Sequence, residues 1–104
     1  MMPEEQIRRA LDRAKATDLT AADVMEMVRQ GRATLLCLGE TSASWTFPSP
    51  GVCHILHVYG PRGWRSSDAD VYWAALGREM IKKGARTLTW TGRPGWARML
   101  ERSA

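Results

Sequence analysis

Cysteine is scarce: Cys37 and Cys53 are the only two in 104 residues. Both sit in apolar, strand-like runs, where a free cysteine behaves as a small core residue. The expectation is two buried thiols, which suits a reducing, cytoplasmic setting. Long apolar runs are missing too, and none approaches the roughly 20 residues of a membrane span. The first stretch, "MMPEEQIRRALDRAK", is charged throughout, unlike a secretory signal. There is no low-complexity segment and no linker, so residues 1–104 read as a single domain. With 44% hydrophobic residues it can build a real but modest core.

Metal-ligand spacing is also lacking. His54 and His57 stand three apart on an expected strand, which points them to opposite faces of a regular sheet. Neither has a cysteine or carboxylate at ligand distance along the chain, so no metal site is expected. Either histidine reads as a core or rim residue, with general-base duty as the sharper reading.

The net charge of +4 is unevenly placed: residues 1–59 sum to −1 and residues 60–104 to +5. A basic C-terminal half suits an anionic partner such as a nucleotide cofactor, nucleic acid or an acidic protein surface. The plain alternative is a solvated basic face.

The apolar pattern gives the element order α-α-β-β-β-α-β-α, with antiparallel hairpins first and then one parallel βαβ unit. Pro3, Glu4 and Glu5 open a first helix that carries Ile7, Leu11 and Ala14 on one stripe and ends near Ala16. Thr20 and Asp23 form a capping box for the second, with Leu19 and Val24 as its hydrophobic staple and Gly31 as its stop. Val24, Met27 and Val28 make its buried face, and Met25 and Met27 read as core filler. "ATLLCL" (33–38) is a continuous apolar run, the mark of a strand covered on both faces. "GETSAS" reads as a turn and "SWTF" (44–47) as a short strand stopped by Pro48 and Pro50. Val52–Tyr59 is the best strand in the chain. The third helix runs from about Ser67 to Lys83, with Ser67 and Asp70 as its capping box, Tyr72, Leu76 and Met80 as its stripe, and Trp73 and Ile81 widening that stripe. Gly84 is its expected stop. "TLTWT" (87–91) is the last strand and 95–102 a short closing helix.

Two junctions stand out. "GPRGWR" (60–65) and "GRPGWAR" (92–98) each set a Gly-Trp pair among arginines where a strand hands over to a helix. Parallel neighbouring strands would bring both to one sheet edge, where open α/β sheets bind ligands. Glycine permits close backbone approach and a helix start offers free N–H groups to phosphate. Arg62, Arg65, Arg93 and Arg98 add charge suited to clamping an anion. The candidate anion or acyl-coenzyme A site is Gly60, Arg62, Gly63, Arg65, Gly92, Arg93 and Gly95, with Trp64, Trp96 and Arg98 as a contact surface. The structural alternative makes the glycines and prolines tight turns and each tryptophan a core anchor.

The element order resembles the GNAT-type N-acetyltransferase fold without its last strands. "YWAALGREMIKKGARTLTWTGRPGWARML" (72–100) is similar to small GNAT-like proteins of tailed bacteriophages and prophages. In those a tryptophan-bearing helix leads through a Gly-Ala or Gly-Cys turn to a strand and a Gly-Arg-x-Gly-Trp motif, here Gly92-Arg93-Pro94-Gly95-Trp96. "ADVMEMVRQGRATL" (22–35) also resembles their helix and strand. The resemblance implies a bacterial cytoplasm or a virion. It also implies acetyl-coenzyme A held by an Arg/Gln-x-x-Gly-x-Gly/Ala loop after the fourth strand. "GPRGWRSS" (60–67) supplies Arg62, Gly63 and Arg65 but departs from that pattern, and Trp64 crowds the phosphate position. No tyrosine follows Tyr72 to act as the family's acid.

These departures favour a non-catalytic structural, assembly or interaction protein on an acetyltransferase-like scaffold, with no cofactor. Its partner would be another protein or a second copy, through an open sheet edge beyond the last strand. The alternative is an acetyl-coenzyme A-dependent N-acetyltransferase acting on an amine, with His57 or Glu40 as base. The third reading is nucleic-acid binding through Arg62, Arg65, Arg93, Arg98 and the tryptophans.

Overall fold

A computed structural model describes residues 1–16, 18–60 and 66–90, with the side chains of 66–70, 73 and 90 left aside. Three helices and four strands follow in the order α1 (Pro3–Arg13), α2 (Ala21–Arg29), β1 (Thr34–Leu38), β2 (Thr41–Ser49), β3 (Val52–Tyr59), α3 (Ser66–Lys82) and β4 (Thr87–Trp90). The strands form one mixed sheet in the order β1-β2-β3-β4. The first two pairings are antiparallel and β3–β4 is parallel, as the expected hairpins and βαβ unit require. The expected closing helix (95–102) lies outside the described residues.

Helix boundaries follow local chemistry. Thr20 Oγ1 accepts from the Asp23 amide at 3.1 Å, and the Asp23 carboxylate accepts from the Thr20 amide at 3.0 Å, which completes the expected capping box. All three helices end in Schellman turns. The pairs are Ala16 N–H to Leu11 O, Arg32 N–H to Met27 O and Ala85 N–H to Met80 O. Gly31 and Gly84 take the positive φ in two of them, but in α1 that position falls to Lys15, at φ 56°. The first helix therefore stops at Arg13, three residues before the sequence signal.

The strands depart further from expectation. β1 is an edge strand with Thr34, Cys37 and Leu38 exposed, so the apolar run "ATLLCL" is covered on its two faces only in part and Cys37 is not a core thiol. Ala33 and Leu35 pack onto one cluster and Leu36 onto the other. β2 is nine residues long rather than four. Its turn shrinks to Gly39-Glu40, with positive φ at Gly39 alone, the type II′ pattern for a two-residue hairpin. Pro48 does not stop the strand, which ends at Ser49, directly before Pro50. The register slips between Thr46 and Ser49, so Phe47 and Pro48 together oppose Cys53, and this bulge accommodates a residue without an N–H.

Two clusters sandwich the sheet. Trp45, Ala43, Cys53 and Ile55 meet Tyr72, Leu76 and Met80 of α3 on one face. Leu56 meets Ile7, Leu11 and Val24 of α1 and α2 on the other, with Leu19, Met25, Met27 and Val28 around it. Ile81 does not widen the α3 stripe; it is exposed. α3 starts at Ser66, so Ser67 lies inside its first turn.

Candidate functional site

A second bulge sets the polar centre of the sheet. Ser44 pairs with His57 but Trp45 pairs with Ile55, so Leu56 is an extra residue on β3. An extra residue resets the alternation of faces beyond it. Leu56 and His57 therefore both lie on the face covered by α1 and α2. His54 shares that face, because its neighbours Cys53 and Ile55 point to α3. The expectation of opposite faces for His54 and His57 fails for this reason, since it assumed a regular strand.

His57 is 3% exposed, and Ser42 and Ser44 are fully buried beside it. Ser42 Oγ lies 2.9 Å from Nε2 and Ser44 Oγ 2.5 Å from Nδ1, so both ring nitrogens are engaged. A neutral imidazole offers one donor and one acceptor, and serine hydroxyls rotate to match either. Burial drives the His57 pKa down to about 4, which fixes that neutral form. A sealed, doubly hydrogen-bonded ring cannot reach an amine substrate. His57 is a satisfied interior group. The two serines were not singled out from the chain, although their i, i+2 spacing on a strand places two hydroxyls on one face.

His54 does different work. Its Nδ1 lies 2.6 Å from Thr89 Oγ1, which ties β3 to the parallel strand β4. The Gly51 carbonyl accepts from the Arg86 and Thr87 amides at 2.7 and 3.0 Å, fastening the start of β4 to the β2–β3 turn.

The two junction-bearing strands are parallel neighbours, and their C-terminal ends point to one sheet edge. The β1–β2 turn sits at the same edge, since Ser42 pairs with Tyr59. Exposed Glu40 therefore stands there, while Arg13 of α1 places its guanidinium 5.2 Å from the centre of the Tyr59 ring. Of the candidate anion-site residues, Gly60 is buried at the end of β3. Arg62, Gly63, Arg65, Gly92, Arg93 and Gly95, and the contact residues Trp64, Trp96 and Arg98, lie outside the described residues. A separate open groove of about 450 Å³ separates the starts of α1 and α2. Its lining includes Glu4, Glu5 and Arg8, and Arg8 is paired with Glu5 and Asp12.

Among the described residues no group of three or more acidic, histidine or cysteine side chains is placed to hold a metal ion, and no helix is long and apolar enough to cross a membrane. Comparisons with protein-family models, with curated proteins and with solved structures find no match for this chain.

Proposed function

We propose that this chain is a non-catalytic interaction protein built on a truncated acetyltransferase-like scaffold, of the kind tailed bacteriophages and prophages encode for assembly. The observation that carries the reading is the sealed polar centre. His57, one of two base candidates, is closed off from solvent and engaged at both nitrogens. The arginine and tryptophan content of residues 60–104 is then a contact surface, because both residue types anchor protein interfaces. The mixed sheet with its parallel β3–β4 pair agrees with the element order that prompted the GNAT-like comparison.

One observation supports the N-acetyltransferase reading instead. Glu40 is an exposed carboxylate at the sheet edge toward which β3 and β4 run, so it replaces His57 as the candidate base. Acetyl-coenzyme A separates the two readings. A ligand at 100 times its dissociation constant stabilises a fold by about 2.7 kcal/mol. For the scaffold reading, millimolar acetyl-coenzyme A leaves the thermal midpoint unchanged. A rise in midpoint that vanishes in Arg62→Ala or Arg93→Ala establishes the cofactor site and overturns the scaffold reading.

A further inference from the structure

Among the described residues, the outer edge of β1 carries none of the devices that keep sheet edges apart. Natural edges are blunted by charges, prolines, bulges or a covering element. β1 (Thr34–Leu38) has no charged residue and no proline, and it pairs with β2 without a register break. Leu38 is 43% exposed, and Cys37 and Thr34 are exposed beside it.

Hairpin geometry says which backbone groups face outward. A type II′ turn closes on a hydrogen-bonded pair, here Leu38 and Thr41. Alternation along an antiparallel ladder then turns Leu36 and Thr34 toward β2 and leaves the N–H and C=O groups of Leu35 and Cys37 directed away from the sheet. Four unpaired polar groups at this spacing match the same four groups on an identical strand run antiparallel. In that register Leu35 exchanges both bonds with Cys37 of the second copy, and Leu36 meets Leu36 at the two-fold axis.

The same register places opposite charges at both ends. Within the strands, numbers that add to 72 stand opposite one another; just beyond the strand ends, Arg32 before β1 comes beside the Glu40 turn of the second copy, and Glu40 beside the second copy's Arg32. Both side chains are exposed, and each flanks β1. A one-step shift in either direction loses this match.

We infer that β1 pairs antiparallel with β1 of a second copy, centred on Leu36, to form a continuous eight-stranded sheet with two Arg32–Glu40 pairs across the seam. The contact is short, so association is concentration-dependent rather than obligate. The inference assigns the self-association edge to β1, where the sequence pointed to β4. It stands whether or not the chain binds acetyl-coenzyme A, so the two tests fail independently.

The register is tested with single cysteines in a Cys37→Ser background. Thr34→Cys and Leu38→Cys face each other across the seam at about 4.5 Å between Cα atoms, within disulfide reach. Two copies of Thr34→Cys stand more than about 13 Å apart, beyond reach. Under mild oxidation the mixture forms the disulfide dimer and each variant alone stays monomeric. In sedimentation equilibrium, Arg32→Glu or Glu40→Arg alone weakens dimerisation about tenfold, and the Arg32→Glu/Glu40→Arg double variant restores it. A strictly monomeric wild type at high concentration overturns the inference. So does crosslinking of either cysteine variant alone at the yield of the mixture, or a double variant no better than the singles.

Discussion

At the scale of single residues, His57 shows how burial converts a titratable group into a stability sensor. Its pKa in the fold is about 4, against 6.5 for an unperturbed histidine. Between those values the unfolded chain binds a proton that the folded one excludes, so stability rises with pH across that window. The contribution is complete above pH 6.5 and is lost as the pH falls toward 4. A shift of this size corresponds to roughly 3 kcal/mol. Urea unfolding of the wild type therefore gives a lower midpoint at pH 4.5 than at pH 7.5, and His57→Gln flattens that dependence while lowering stability at neutral pH. A wild-type profile unchanged by His57→Gln would place the acid sensitivity elsewhere. The two cysteines diverge for a similar reason. Cys53 is buried, and desolvation raises its thiol to about 11. Cys37 lies exposed on the edge strand, and partial desolvation raises its thiol more modestly. Both occupy apolar runs in the chain, so nothing local distinguished them; the sheet's strand order did.

Among the elements, the caps were the most legible feature, because a cap is a contact between residues three or four apart. Thr20, Asp23, Gly31 and Gly84 all hold their expected places. Ser67, which lies inside α3 rather than capping it, and Lys15 are exceptions. A non-glycine residue in the left-handed region costs about 1 kcal/mol or somewhat more. Lys15→Gly removes that strain at some cost in chain entropy, and stabilises the fold by about 0.5–1 kcal/mol. Thr20→Ala acts in the opposite sense, removing a cap worth about 1 kcal/mol. Paired denaturant curves check both signs, and a destabilising Lys15→Gly would show that the lysine is held by more than the turn. The strands were harder to place. Pro48 normally ends a strand, and the sequence held no sign that two bulges would carry β2 through it and turn His57 onto the α1 side. A bulge is a choice of register between distant segments, and register depends on both partners.

For the whole molecule, the sheet separates two cores among the described residues. Leu76 of α3 is fully buried in one and Ile7 of α1 in the other. Leu76→Ala should cost about 2–5 kcal/mol and Ile7→Val about 0.5–1.5. Distant sites without shared partners add within about 0.5 kcal/mol, so the double variant should show the simple total. A larger discrepancy would reveal coupling through β2 and β3. The sequence alone determined the element types and order through residue 90, the capping box of α2 with the glycine stops of α2 and α3, the core stripe Tyr72-Leu76-Met80 and the antiparallel-then-parallel pairing. Each rests on local periodicity or a short-range contact. Only the tertiary structure decided that β1 is an edge, that Cys37 faces solvent, that His54 and His57 share a face and that Ser42 and Ser44 seal the latter. Those facts turn on which strands neighbour one another and in what register, and a sheet fixes both by burial on its two faces at once.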